Sequence, residues 1–261
     1  MHEERRFCYI ALEGEQPPYE PSAVAGPIVA SLSKNGHLDV LGAIPRHHRK
    51  AVLEQCREAR YRKGDILWQQ GDPAPTAAFL IEGKAVSEYH SPRGRTFITG
   101  LWLPGDLMGA NNLVAYNLHQ TTVRCIENAL VYTLSVERLY GLARSDPDLA
   151  EAIIKALSVR LNWFGRLALI LFTQTAKERV CGVLLALSEH FGIETRNGLL
   201  IDLNLTHDTL AAMVGVTRPF LTTTLRQLER SGLVVIERRR IVIRDPARLD
   251  AFALDGGAAR T

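Results

Sequence analysis

Between Tyr61 and Leu134 apolar and polar residues alternate in short runs, and on either side of that block the period lengthens to that of a helix. The block reads YRKGDILWQQGD, AAFLIEGKAVSEYH, SPRGRTFITGLWLPGD and ENALVYTLS. Glycines 64, 71, 83, 94, 105 and 109 fall at strand-plus-turn spacing, several of them before Asp, as the corners of a compact roll or barrel require. Turn geometry is the reading for every one except Gly109, which is kept as a site candidate. Ahead of the block, Leu38, Leu41, Ile44, Val52, Leu53 and Cys56 predict two short helices between His37 and Ala59, split at Pro45. The adjacent His47 and His48 read as solvated surface.

After the block, Val136 to Ala143 resumes helical spacing. Asp146-Pro147 then marks a new start, an N-cap followed by proline at the first helical position, and the helix is expected to run to about Gln174. Ile153, Leu157, Phe164, Leu167 and Leu171 form a coiled-coil-like stripe interrupted by Arg160, while Ile154, Leu161, Leu169 and Ile170 supply a second apolar face. A helix apolar on both faces needs two partners. The roll covers one, and the same helix of a second subunit is the simplest cover for the other, which predicts a homodimer with dimerisation residues Ile153, Leu157, Phe164, Leu167 and Leu171. Thr175 is expected to cap a helix from Ala176 to Phe191, and the strand LLIDLNL follows a turn at Asn197-Gly198.

Leu205 to Gly232 reads as two short helices around a sharp turn. Thr206 caps the first, Gly215 breaks it, Thr217 caps the second ahead of Pro219, and Gly232 ends it. Leu221, Leu225 and Leu228 share one face of the second helix, leaving Pro219, Thr222, Thr223, Arg226 and Arg230 on the other. That outer face is small, polar and basic, as a helix lying in a major groove needs to be. A solvated two-helix pair is the alternative these residues leave open. Leu233 to Ile236 and Ile241 to Ile243 then predict a hairpin with Arg238, Arg239 and Arg240 at its tip, a wing placed to meet phosphates. Pro246 to Phe252 reads as a closing turn and tail.

The 261 residues, 46% hydrophobic and 23% charged, suit two modest cores better than one large one. The net charge of +3 matters only once it is located: Thr206 to Arg244 holds seven arginines against three acids, an excess larger than that of the whole chain. Such concentration favours a polyanionic partner. Cys8, Cys56, Cys125 and Cys181 are dispersed with no CxxC pair, which points away from zinc or a disulfide framework and fits a reducing cytoplasm. The longest apolar run, Leu167 to Phe172, is too short for a bilayer, so neither export nor membrane insertion is expected.

The order of parts resembles the transcription regulators related to the cyclic-AMP receptor protein and FNR (CRP/FNR). KGDILWQQGD, FLIEGKAV, LPGDLMG, the segment beginning DPDL, LAAMVGVTRPFLTTTLRQLERSGLV and RRRIVI carry the resemblance, over about residues 35 to 250. It implies an α+β chain. The expected parts are a flexible extension over 1–30, a jelly-roll-like β-roll of the cyclic-nucleotide-binding type over 31–145, and a dimerisation helix over 146–175 with a hinge near Thr175. A winged helix-turn-helix over 176–254 and a tail over 255–261 complete it. Double-stranded DNA, a second copy of the chain, RNA polymerase and a small-molecule effector are the partners implied. Arg218 matches the arginine that reads guanine, with Thr206, Thr217, Pro219, Thr222, Thr223, Arg226, Arg238, Arg239 and Arg240 completing the expected DNA surface. Pro219 and Thr223 depart from the glutamate and arginine usual there.

The resemblance also locates an effector site and shows it altered. Gly109 is followed by Ala110 where nucleotide-binding members have glutamate, His119 and Gln120 replace an Arg-Ser pair, and Phe164 and Gly165 replace hydroxyl residues. Neutral histidine cannot reproduce the two-pronged contact of arginine. An effector other than cyclic AMP, such as an aromatic or other organic acid, is therefore expected among Trp102, Gly109, Ala110, Asn111, Asn112, Tyr116, His119, Gln120 and Phe164. Cys8 stands alone where an iron-sulfur member clusters cysteines. A haem held by His119, His90 or Cys125 and an effector-independent regulator are the alternatives. An enzyme on a cupin-like roll lacks the His-x-His metal signature over residues 61 to 134, so no catalytic residue and no protein-bound metal is expected.

Overall fold

The computed structural model describes residues 39–114, 118–237 and 239–255. The expected extension over 1–30, Cys8, Tyr116, Arg238 and residues 256–261 of the tail lie outside the described residues.

Two short helices, α1 (Val40–Ala43) and α2 (Arg46–Leu53), precede eight strands. These are β1 (Arg57–Tyr61), β2 (Ile66–Trp68), β3 (Thr76–Glu82), β4 (Ala85–His90), β5 (Thr96–Trp102), β6 (Leu107–Met108), β7 (Thr122–Cys125) and β8 (Ala129–Ser135). They form two antiparallel sheets, ordered β1-β8-β3-β6 and β2-β7-β4-β5, which close a roll around Ala78, Leu80, Met108, Val123, Cys125 and Val131. The expected helix up to Ala59 is corrected here: Arg57 to Tyr61 pairs in register with β8, because an edge strand was available to it. Glycines 64, 71, 83, 94, 105 and 109 all have positive φ, whereas Gly100 lies within β5. At Gly83 an added Cβ would lie 2.1 Å from the Asn128 carbonyl, so only glycine lets the β3-β4 turn approach the one before β8.

Helix α3 (Val136–Ser145) leads to α4 (Pro147–Thr173), and Asp146 caps α4 by accepting the Asp148 and Leu149 N–H groups at 3.1 Å each. By length and mean hydropathy, 27 residues and 1.2, α4 is long and apolar enough to cross a membrane, a property the count of uninterrupted apolar runs missed. Its apolar residues fall into two sets. Leu149, Ala152, Ile153, Trp163, Leu167 and Ile170 are buried against the chain itself, whereas Ile154, Leu157, Leu161, Phe164, Leu169 and Phe172 are exposed. Ile153 and Leu167, expected on the dimer face, are thus committed to the chain's own core, and Leu171 is half-buried beside Gly215. The exposed stripe is rotated from the expected one and shares only Leu157 and Phe164 with it.

Thr175 and Glu178 form a capping box for α5 (Ala176–Phe191). Then come the strands β9 (Gly192–Thr195) and β10 (Gly198–Ile201), α6 (His207–Val214), α7 (Arg218–Arg230), β11 (Val234–Glu237), β12 (Arg240–Ile243) and α8 (Pro246–Asp255). The sheet order is β11-β12-β10-β9. The expected closing turn is instead helix α8, whose Leu249 and Ala253 are buried in the core that includes α5 and whose Phe252 ring lies 3.8 Å beneath the Lys177 ammonium. One apolar cluster joins Val86, Ile98 and Leu101 of the roll to α4, α5, α6 and α7.

Candidate nucleic-acid interface and effector cavity

Helices α6 and α7 are set by three local devices. Thr206 accepts the Thr209 N–H at 3.1 Å, Gly215 turns the chain at φ 71°, and Thr217 accepts the Phe220 N–H at 3.5 Å. Both threonine hydroxyls thus serve as N-caps. Leu221, Thr224, Leu225 and Leu228 are buried beneath α7, which leaves Arg218, Pro219, Thr223, Arg226 and Arg230 exposed on a continuous face. Thr222 is half-buried, its hydroxyl 3.0 Å from Nδ1 of His207. Arg218 Nη1 lies 3.5 Å from the Asp208 carboxylate, with both side chains about two-thirds exposed (65% and 67%). Such a pair is screened and yields readily to a stronger anion.

On the wing, Arg239 is exposed at the tip. Arg240 is different from what the hairpin pattern suggests: it begins β12, and its guanidinium grips the Asp202 carboxylate in two bonds of 2.9 Å. The tip is therefore shorter than expected, and one of its arginines already has a fixed partner.

A cavity of about 220 Å³ lies between the roll and α4. Ser87, Thr99, Trp102, Asp106, Leu107, Ala110, Asn111, Gln120 and Thr121 line it from the roll, and Ala156, Leu157, Arg160 and Phe164 from α4. Of the sequence candidates, Trp102, Ala110, Asn111, Gln120 and Phe164 meet there. Gly109 does not: it carries the turn after β6 at φ 81°, and a Cβ on it would sit 3.0 Å from the Thr76 carbonyl. Asn112 is buried behind Asn111, accepting its amide at 3.3 Å. His119 is buried against Trp68, outside the cavity lining.

Arg160 is the residue that sequence periodicity passed over as an interruption. Its guanidinium lies 3.7 Å from the Trp102 ring centroid, Nη1 donates to the Leu101 carbonyl at 2.9 Å, and Nη2 is 3.5 Å from the Asp106 carboxylate. The side chain is 19% exposed. Burial pulls its pKa down while Asp106 acts in the opposite direction, and arginine stays protonated under both. A charged residue inside an apolar stripe was the signal available.

Of the residues offered for haem, Cys125 is buried inside the roll, His90 is exposed with Nδ1 3.1 Å from the Thr96 hydroxyl, and none of His90, His119 and Cys125 lines the cavity. Among the described residues, His48, Asp146 and Asp148 bring possible metal-ligand atoms within 4.8 Å of one another, but at the foot of α4 and not in the roll.

Comparison with known proteins matches both halves. The family model for a cyclic nucleotide-binding domain covers residues 58–146, and that for a Crp-like helix-turn-helix domain covers residues 178–252. The chain is 24% identical over 204 residues to Electron transport regulator A of Shewanella oneidensis, covering 78% of this chain and 81% of that protein. It is 23% identical over 200 residues to a CRP-like cAMP-activated global transcriptional regulator of Mycobacterium tuberculosis, covering 76% and 89%. Among solved structures, a CooA mutant from Carboxydothermus hydrogenoformans superposes with a TM-score of 0.71 at 19% identity, covering 85% of this chain and 97% of that one.

Proposed function

We propose, for a chain that belongs to the CRP/FNR family of DNA-binding transcription regulators, that it works in the cytoplasm as a homodimer on a near-palindromic operator, under control of a small effector other than cyclic AMP. The observation that carries the DNA reading is the exposed polar and basic face of α7 from Arg218 to Arg230, held out by a buried leucine row. Arg218 takes a guanine, Thr223 and Arg226 lie beside it, and Arg239 meets the backbone. The exposed stripe of Ile154, Leu157, Leu161, Phe164 and Phe172 pairs with its twofold copy. A lipid environment suits α4 poorly, because Arg160 and Arg166 sit in its middle.

Leu157 and Phe164 belong both to that stripe and to the cavity lining. An effector touching them changes how the two α4 helices pack, and the hinge at Gln174-Thr175 passes this to α7, bringing two recognition helices to about 34 Å spacing. RNA polymerase is the partner through which the bound dimer acts. Ala110 and Gln120 in the cavity, with His119 outside it, support an effector other than cyclic AMP, since the residues that would hold ribose and cyclic phosphate in the family are replaced. Sedimentation of the purified chain with footprinting of selected DNA tests the reading: a dimer protecting two symmetric half-sites is expected, and a monomer on one asymmetric site overturns it.

A further inference from the structure

Arg160 brings a full positive charge to a cavity wall made largely of apolar atoms. Its environment is built around the charge. The Trp102 indole offers its face to the guanidinium, and Trp102 Nε1 donates to Ser87 Oγ at 2.7 Å, which fixes the plane of the ring. Gly100 leaves the space alongside: a Cβ there would come within 3.4 Å of Arg160 Nη1. The Leu101 carbonyl takes one N–H. Asp106, the one acid in the lining, stands 3.5 Å away and also accepts the Leu103 N–H at 2.8 Å, so its charge is shared. A guanidinium has five N–H donors, and a buried one gains most from a planar anion that accepts two at once.

We propose that the effector is a small organic monocarboxylate, its carboxylate received by Arg160 and its apolar body laid against Leu157, Phe164 and Leu107. This rests on the reading of the cavity as an effector site and adds the ligand's class and the residue that selects it. Asn111, Gln120 and Thr121, lining the cavity from the roll, offer hydrogen bonds to a substituent. The apolar side of the cavity stops a hydrophilic anion such as inorganic phosphate from gaining as much, because it would lose its hydration with no compensating contact. Arg160 stands on α4 and its partners Leu101, Trp102 and Asp106 on the roll. A carboxylate that takes over the guanidinium therefore changes the bonds joining sensor to dimer helix.

The test is a thermal-shift and calorimetric series on the full chain with benzoate, phenylacetate and cinnamate, their neutral amides, inorganic phosphate and cyclic AMP. At least one carboxylate is expected to raise the melting temperature and to bind at least tenfold tighter than its amide. Arg160→Gln should abolish that preference. Arg160→Lys should restore part of it, with Lys155→Gln, a partly exposed site on α4 outside the cavity lining, as the unaffected control. Amides binding as well as acids, carboxylate binding undiminished in Arg160→Gln, or cyclic AMP as the tightest ligand would each overturn the proposal. If Arg160→Gln does not fold, Phe164→Ala and the acid-to-amide ratio in the unaltered chain decide it. DNA binding measured alongside separates the two levels. A neutral compound that binds here and alters DNA affinity leaves the effector reading standing and removes the carboxylate, whereas no binding by any probe with constitutive DNA binding removes both.

Discussion

The imidazole of His119 lies flat on the indole of Trp68, ring centroids 4.4 Å apart and planes 5° from parallel. The backbone reinforces the stack: the Gly71 N–H donates to the His119 carbonyl and the His119 N–H to the Asp72 carbonyl, each at 2.8 Å. A residue that the family resemblance puts at the phosphate position is thereby a structural element of the roll.

That stack predicts a pH dependence. Burial lowers the His119 pKa, against a smaller opposing effect of Asp72, and burial likewise lowers that of His190. Both rings are favoured neutral in the folded chain. Their contribution to stability is fully present above the unfolded histidine value of about 6.5 and is lost as pH falls through the lower folded values. Melting temperature should therefore drop as pH falls below about 6.5. His119→Phe, which keeps a ring over Trp68, should make that drop shallower, and an identical slope in the variant would count against the assignment.

The ion pair between Arg218 and Asp208 holds the arginine near the start of α7 without burying it. Arg218→Ala should cost about 1–3 kcal/mol of specific DNA binding and relax preference at one base pair per half-site. Binding-site selection with wild type and variant provides the comparison, and an unchanged logo would refute base reading by this residue.

Arg239 and Arg240 should separate. Arg239→Ala should weaken all sequences alike and reduce the salt slope by about one. Arg240→Ala should change the salt slope less, because its guanidinium is spent on Asp202, and should instead loosen the junction of β12 with the segment after β10. Equal salt effects of the two would show that DNA pulls Arg240 away from Asp202.

On α4, Leu161 is 71% exposed and Leu167 is 6% exposed. Leu161→Glu should yield a folded monomer with a much weaker hold on a two-half-site operator. Leu167→Ala should destabilise the fold by about 2–5 kcal/mol through the cavity it leaves. Sedimentation and denaturant titration of both variants distinguish them, and a Leu161→Glu protein that remains dimeric would displace the exposed stripe as the interface.

Much of the architecture is legible as local chemistry. The start of α4 at Asp146-Pro147, the Thr175 cap, the Gly215 turn and the roll's six glycine corners depend on a few neighbouring residues, so their types mark them directly. Strand β9 was missed because GIET carries one apolar residue and owes its extension to pairing with β10. Helix α8 was missed behind Pro246, although Leu249, Phe252 and Ala253 are at helical spacing. Of the effector residues, Ala110, Asn111 and Gln120 were reachable through the family resemblance, whereas the role of Arg160 was not, since nothing near it in sequence shows that Trp102 and Asp106 arrive from 50 or more residues away.

By itself the sequence determined most element types outside β1, β9 and α8, the caps and turns, the basic face of α7 and the existence of two apolar faces on α4, because periodicity and capping are properties of neighbouring residues. The tertiary structure alone decided which of those faces the chain covers for itself, that Arg240 closes on Asp202 while Arg239 stays free of that partner, and that Arg160 rests on Trp102 at the wall of the cavity. Each of these turns on the rotation of one element against another. A rotation of that kind is set by how long-range packing fills space, and the spacing of residues along a single helix is the same for every rotation.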